Sequence, residues 1–516
     1  MLVSQIIVLI ITSISFIDFL VFCGLFLTYI IKIPFGNENV STKIMAGLII
    51  FFFISFKLMH IPVFLSSVKP SFFDIPYSDI MIAILTYINI ALAIVPLFFA
   101  IYAGLKPTPN VKSFNFQDQI FICMPIYNET PEDLYAAILS VINANYNKYK
   151  LHLYLSFDHG PEETPDAFEF IMDKWNLEIN SNPCITIDLE GIRVSILRTK
   201  HAGKKSAQKS AFDQITLDYP LSIREVSKIF FIDSDIVLEE NCINHFLFHM
   251  KAYNKTCVTG MLTCSITNRF DFLSMYQDIE YISGQILSRN LENTLNSSLV
   301  LPGALSFLNY TSFSNISHIY FEDHDYKDVI EYHRKYLGED RNLTHNLIEN
   351  GENISFCQFA TCRTVAPDTF YGLLKQRRRW YLGHISNDIY SMCSVYIWTK
   401  YPGLSLFNFL NNIRNTSIYI YILYFILLFD NNTELLLWLL MIILPISLLW
   451  IFISCYAIRI NRKMNIIFYP IILILQPIFS MIYMYYTIYT FNVSGWGGVR
   501  TENEKVDKKG DNSNKV

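Results

Sequence analysis

Asp233 and Asp235 stand on either side of one serine, directly after the apolar run Lys228 to Ile232. Residues two apart at a strand end project from the same side of the backbone. The two carboxylates can therefore grip one hard divalent cation, and such a cation can bridge a diphosphate. A solvated turn or a helix cap uses the same residue types. Asp158 follows a second apolar run, Leu151 to Phe157, where an Asx turn onto His159-Gly160 is the plain alternative. The basic cluster His201-Ala-Gly-Lys204-Lys205, with Lys209 beyond it, is either a solvated face or a partner for phosphate. Acidic, metal-compatible and basic groups aimed at one crevice favour an anionic nucleotide over a neutral ligand.

A parallel sheet would bring these groups together. Gln119 to Met124 (QIFICM), Leu151 to Phe157 (LHLYLSF) and Lys228 to Ile232 (KIFFI) are short β-rich apolar runs, and helical patterns such as Glu132 to Asn143 lie between them. The pattern predicts an α/β domain. Ligands of parallel sheets bind outside the carboxyl ends of the strands. Pro125 to Glu129, Asp158 and Asp233 to Asp235 should then surround one crevice.

That domain occupies residues 106 to 400 of a chain of unusual composition. Of 516 residues 52% are hydrophobic and 16% charged, against roughly 25% charged in soluble proteins. A wholly soluble fold, a collagen, a coiled coil and a disordered chain are all excluded. A net charge of -5 leaves no polycation for nucleic acid. The ten cysteines show no CxxC or zinc-ligand spacing, which favours reduced thiols. His318, His324, His333 and His345 form no ligand set either and read as loop residues.

The excess apolar residues are bunched. Residues 4 to 31 carry one charge, Asp18; Met45 to Ser66 carry one, Lys57; Ile80 to Leu105 carry none. Phe409 to Phe429, Leu435 to Ile458 and Ile466 to Phe491 follow the polar middle. Each is long enough for a bilayer core, which needs about 20 residues, so the sequence predicts three membrane helices before the α/β domain and three after. The first lacks the basic start and cleavage site of a signal peptide and reads as a retained anchor. Asp18 and Lys57 should sit at similar depth and pair, since either charge alone is costly to bury. Lys32 and Lys43 in one short loop, and Arg459, Arg462 and Lys463 in another, mark the cytosolic side. Residues 106 to 400 are then cytosolic. The same parity puts the tail, 492 to 516, outside, against the pull of Lys505, Lys508 and Lys509.

Gly338-Glu339-Asp340-Arg341 and Gln376-Arg-Arg-Arg379-Trp380 add a pattern with a known counterpart. With these motifs the chain resembles the processive family 2 glycosyltransferases of the GT-A fold, and among them the chitin synthases, from about Phe121 to Asp388 with a further piece near Trp496. The resemblance implies a GT-A-like cytosolic domain (106–366) inserted between two groups of three transmembrane helices (1–105 and 404–491). Amphipathic interface helices (367–403) and a polar tail (492–516) complete the layout. It casts Pro125, Tyr127 and Glu129 as the first nucleotide-contacting loop, Asp158 as the uracil-side aspartate, and Lys204 and Lys205 as the segment beside the uridine. Asp233 and Asp235 become the metal pair, for Mg2+ or Mn2+. Gln277-Asp-Ile-Glu280-Tyr281 looks like the acceptor region, and Val300-Leu301-Pro302-Gly303-Ala304 like the gating loop at a polymer channel. Asp340 falls on the catalytic base with Glu339 beside it, while Gln376, Arg379 and Trp380 fall on the motif that holds the acceptor end and the pyrophosphate.

Physical chemistry supports the same reaction. A sugar leaving its nucleoside diphosphate needs positive charge at the departing oxygens, from a metal on Asp235 and a guanidinium such as Arg379. Direct displacement with inversion then needs one base. Trp380 serves equally as a sugar platform or as an aromatic anchor at a membrane interface, and Lys375 with Arg377 to Arg379 as a strip on anionic lipid. Ser494-Gly495-Trp496-Gly497-Gly498 departs from the Ser-Trp-Gly-Thr ending usual in fungal relatives. The expected partners are UDP-GlcNAc, a growing chitin chain and membrane lipids, with a homodimer as the assembly. The expected location is the plasma membrane and transport vesicles. Two competing readings are a non-processive lipid glycosyltransferase, which has less use for the arginine-tryptophan motif, and a transporter with a nucleotide-sensing domain, which leaves Asp340 without a task.

Overall fold

The computed structural model describes residues 95–103, 106–111, 114–160, 162–179, 182–266, 271–322, 329–415, 435–460, 462 and 465–491. The first two expected spans, most of the third and of Phe409 to Phe429, the Asp18–Lys57 pair, His324, Trp496 and the tail lie outside the described residues. The described residues divide into two compact units, one within 106–326, 337–381 and 490–516, the other within 1–105, 327–336 and 382–489.

The first unit is built on a nine-stranded sheet of β1 (Ile120–Ile126), β2 (Leu151–Phe157), β3 (Cys184–Leu189), β4 (Ile192–Arg198), β5 (Lys228–Ile232), β6 (Val237–Leu238), β7 (Cys257–Cys264), β8 (Leu305–Asn309) and β9 (Ile354–Thr364). Their order across the sheet is β3-β4-β2-β1-β5-β8-β7-β9-β6. The strands β4, β2, β1 and β5 are mutually parallel, and β8 reverses against β5. The three runs expected from the sequence are therefore the three adjacent strands β2, β1 and β5. All seven residues of β1 and of β2 are buried, as strands covered on both faces must be, and this is why they read as largely apolar runs. Ile122, Met124, Leu153, Leu155 and Phe230 form one continuous core with Leu134, Ile138, Phe168, Ile171 and Phe246 from the flanking helices. Each such side chain, fully buried, contributes about 1.5–3 kcal/mol.

Two details correct the expectations. β1 runs on to Ile126, so Pro125 is not in a loop: it is buried in the strand opposite Ser156 of β2. The sheet also admits a polar side chain, His152, whose Nε2 meets Ser195 Oγ at 2.9 Å and whose Nδ1 meets Tyr154 Oη at 2.9 Å and Tyr219 Oη at 3.0 Å. Burial, aided by Arg193, lowers its pKa to about 3.

Local chemistry sets the helices. Thr130 Oγ1 accepts from the Asp133 N–H at 3.2 Å ahead of Pro131, which opens the helix Pro131–Ile142. Between β7 and β9 the register shifts at Gly260, where an added Cβ would lie 2.2 Å from the Ala360 carbonyl oxygen and 2.9 Å from Leu305. Only glycine fits there. His318, His333 and His345 lie on helical segments rather than loops, and His333 and His345 are buried. Among the described residues the cysteines form no disulfide and, apart from Cys184 and Cys455, are buried.

The helix Phe370–Cys393 leads the chain into the second unit, which includes the helices Val395–Lys400, Pro402–Asn415, Leu435–Arg459 and Asn465–Tyr489. The last two coincide with expected spans. Within this unit the buried Asp388 carboxylate is met by His384 at 3.0 Å and by Asn412 Nδ2 at 2.9 Å. Side chains of Leu435–Arg459 are described from Ser447 on. Among the described residues no single helix is long and apolar enough to cross a membrane; the pair Ile467–Leu473 and Ile478–Tyr489, bent by 50°, is so together.

Candidate active site

Asp158, one residue past β2, is 2% exposed, and its carboxylate organises the loop after β4. Oδ1 accepts from the Ala202 N–H at 2.9 Å, and Oδ2 accepts from the Gly203 N–H at 2.8 Å and meets His201 Nδ1 at 2.8 Å. These are bonds to a distant loop, not the Asx turn that sequence allowed. Gly203 has φ +92°, a value that L side chains resist, and it caps the helix Lys204–Asp218. The bond to Asp158 raises the His201 pKa against the opposing effect of burial. The Tyr127 ring stacks with both His159 (centroids 5.0 Å apart, planes 12°) and His201 (4.6 Å, 15°). Glu129 Oε2 accepts from the Tyr127 N–H at 2.9 Å and closes that turn.

The loop so fixed aims Lys204 across the ends of the strands. Its Nζ lies 2.7 Å from Asp233 Oδ1 and 3.6 Å from Glu339 Oε1. Burial alone would lower the Lys204 pKa, but Asp233 and Glu339 outweigh it and the net shift is upward, so the ammonium is kept. Burial likewise raises the Glu339 carboxyl; Lys204 and Arg379 pull it down and Asp340 adds to the rise. Arg379 is thus within electrostatic reach of both Lys204 and Glu339. Lys205 takes another direction, with its Nζ 4.8 Å from the Tyr320 ring centroid.

Asp235 is 9% exposed and its Oδ2 accepts from Thr364 Oγ1 at 2.9 Å, at the end of β9. Asp233 and Asp235 offer hard oxygen donors alone, a set that suits Mg2+ or Mn2+. Among the described residues no group of three or more His, Cys, Asp or Glu could hold a metal. A cation at this pair would complete its shell from phosphate oxygens and water.

Asp340 lies in the first turn of the helix Glu339–Glu349, and its Oδ1 accepts from the Arg341 N–H at 2.7 Å. The loop Val300 to Ala304 leads into β8 beside it. Val300 and Leu301 are buried, Leu305 N–H donates to the Pro302 carbonyl at 2.9 Å, and Asp233 N–H donates to the Ala304 carbonyl at 3.3 Å. A Cβ on Gly303 would lie 3.0 Å from Lys204 Nζ, 3.5 Å from Glu339 Oε1 and 3.9 Å from Asp340 Cβ. This one glycine, in a third motif, therefore abuts a lysine from one motif and a glutamate and an aspartate from another.

The remaining motifs meet each other. Arg377 Nη2 lies 2.7 Å from Glu280 Oε2 on the helix Phe272–Gly284, and its guanidinium is 4.2 Å from the Trp380 centroid and 5.5 Å from that of Tyr281. Tyr281 and Trp380 stack at 5.8 Å, and Trp380 keeps 39% of its surface exposed. Arg378 turns away and donates to Thr490 Oγ1 and its carbonyl at 2.7 and 2.6 Å. Gln277 is fully buried and fastens the Leu273 and Pro367 carbonyls, while Gln376 lies half-buried on the arginine helix. Sequence reasoning named His201 only as part of the basic cluster and His159 only in the turn after Asp158, and it passed over Thr344 and Thr364, although Thr344 is one helical turn beyond Asp340.

The sequence profile of chitin synthases matches residues 213–516, more than half of the chain. The chain belongs to the chitin synthase family. Chitin synthase G of Aspergillus niger is 34% identical over 403 residues, covering 75% of this chain and 53% of that protein. Chitin synthase 7 of Pyricularia oryzae is 28% identical over 510 residues, covering 93% of this chain and 61% of that protein. This chitin synthase family member thus spans less than two thirds of the length of either relative. A mannosyltransferase from Pyrobaculum calidifontis, solved with GDP-Man and Mn2+, covers 79% of the chain at 11% identity and a TM-score of 0.45, too weak a likeness to carry an argument. The profile includes Asp233, Asp235, Asp340 and the arginine-tryptophan motif, whereas Tyr127, Asp158 and Lys204 precede it.

Proposed function

We propose that this chain is a processive, inverting glycosyltransferase that adds N-acetylglucosamine from UDP-GlcNAc to the non-reducing end of a growing β-1,4-linked chitin chain and passes the polymer across the membrane through its own helices. The observation that carries the reading is the meeting of Lys204, Glu339 and Asp340 around Gly303, with Asp233 on Lys204, beyond the carboxyl end of the parallel strand β5. Membership of the chitin synthase family supports it.

Asp233 and Asp235 would hold the Mg2+ or Mn2+, which when bound supplies positive charge at the diphosphate. Lys204 and Arg379 add fixed positive charge on the same side, in a site with little solvent. Asp340 takes the proton of the acceptor hydroxyl as its oxygen bonds to the sugar C1, and the electrons of the breaking C1–O bond leave with UDP. Trp380, stacked on Tyr281 and backed by Arg377, offers an apolar face to the acceptor sugar. The tied loop 201–203 and the Tyr127 stack suit the nucleoside end. In this reading residues 1–105 and 404–491 form two groups of three spans, the α/β domain is cytosolic, and the protein works as a homodimer in the plasma membrane and transport vesicles.

The test is to give the purified full-length protein UDP-GlcNAc, UDP-glucose or UDP-glucuronate in turn with Mg2+ or Mn2+. An insoluble product from UDP-GlcNAc alone, degraded by chitinase, is expected. Polymer from another sugar nucleotide would move the reading to a hyaluronan- or cellulose-like synthase, and a soluble lipid-linked product would make it a non-processive transferase.

A further inference from the structure

Thr344 is fully buried, and its one hydroxyl joins two parts of the site. The hydroxyl donates to the Asp340 carbonyl oxygen at 2.7 Å and accepts from the Leu301 N–H at 2.8 Å. A hydroxyl has one proton and two lone pairs. Here the proton is spent one turn back on the helix of Asp340, so a lone pair is left facing the Val300 to Ala304 loop. The other end of that loop is held by the Asp233 N–H on the Ala304 carbonyl at 3.3 Å, and its middle by Ser306 Oγ on the Pro302 carbonyl at 2.8 Å. Gly303 between them abuts Lys204, Glu339 and Asp340. The loop is therefore pinned on one side to the acidic pair and on the other, through Thr344, to the backbone of the residue that would act as base.

We infer that Thr344 is a positioning residue: its hydroxyl sets the height of the Val300 to Ala304 loop over Asp340, so that an acceptor hydroxyl lying against the loop meets the carboxylate within proton-transfer distance. The inference rests on the reading of Asp340 as base. Reacting groups need to lie about 3–3.5 Å apart, and a misplacement near 1 Å costs on the order of 100-fold in rate. Valine has the shape of threonine without the hydroxyl, so Thr344→Val frees the loop from the helix and leaves the buried Leu301 N–H unpaired. Serine keeps both bonds.

The experiment measures UDP release, polymer and free sugar for the full-length protein carrying Thr344→Val or Thr344→Ser, with UDP binding followed by calorimetry. In Thr344→Val, kcat for polymer should fall roughly 10–100-fold. KM for UDP-GlcNAc should stay within about twofold, because the nucleotide side of the site is untouched, and a larger share of the donor should end as free sugar. Thr344→Ser should recover kcat to within about threefold of wild type. Should Thr344→Val fail to fold, Thr344→Ala removes the same hydroxyl with less bulk and carries the same expectations. Wild-type kcat in the hydroxyl-free variant, equal loss in valine and serine variants, or a rise in KM alone would overturn the inference. Asp340→Asn run alongside separates the two ideas: polymer synthesis retained there sinks the base reading, whereas an inactive Asp340→Asn beside a fully active Thr344→Val sinks only the role of Thr344.

Discussion

Arg377 and Glu280, 97 positions apart in sequence, form an ion pair of 2.7 Å in which the arginine is 2% exposed. Burial raises the Glu280 carboxyl and Arg377 pulls it down, so the carboxylate depends on the guanidinium to stay charged. Removing one partner leaves an uncompensated charge, which costs about 3–5 kcal/mol, whereas replacing both is far milder. Glu280→Gln and Arg377→Met should each lower the thermal unfolding midpoint by several degrees, and the double variant should recover at least half of the loss. Additive losses would show that the pair is not coupled.

The acidic pair makes a second expectation. Asp235 is held by Thr364 and Asp233 by Lys204, so both carboxylates are tied to groups at the site. Asp235→Ala should cut sugar transfer by at least about 100-fold, and EDTA should do the same to the wild type, reversed by Mg2+ or Mn2+. Near-normal UDP release from Asp235→Ala would remove this residue from the metal site.

The buried His152 ties stability to pH. Its pKa is lowered to about 3 in the fold from about 6.5 in an unfolded chain. Between those values the unfolded chain binds a proton that the folded one does not. The contribution is therefore fully present above about pH 6.5 and is lost as pH falls toward 3, at up to about 1.4 kcal/mol per pH unit. His249, also lowered to about 3 by burial, acts in the same direction. Denaturant midpoints measured from pH 7 to 5 should fall more steeply for wild type than for His152→Gln; parallel curves would contradict a neutral His152.

Gly260 gives a test of the sheet itself. A methyl group there would be 2.2 Å from the Ala360 carbonyl oxygen, and backbone cannot swing aside as a long side chain can. Gly260→Ala should destabilise the protein by about 1–3 kcal/mol, the usual cost of overpacking. An unchanged unfolding midpoint would mean that β7 and β9 are spaced otherwise.

The three parallel strands and the residues at their ends were legible in the sequence, because a strand buried on both faces is mostly apolar while its carboxyl end turns polar. The sequence was mute on β3, β4, β6, β7, β8 and β9, and it misjudged Pro125, since nothing local says how far a strand continues. Nor could it divide labour within a run of identical side chains. Successive helical residues point about 100° apart, so Arg377 reaches Glu280, Arg378 reaches Thr490 and Arg379 is left in the field of Lys204 and Glu339. By the same rotation Lys204 meets Asp233 while Lys205 lies over Tyr320. Which arginine or lysine serves the site is decided by how each helix is turned against its neighbours, and only the tertiary structure holds that angle.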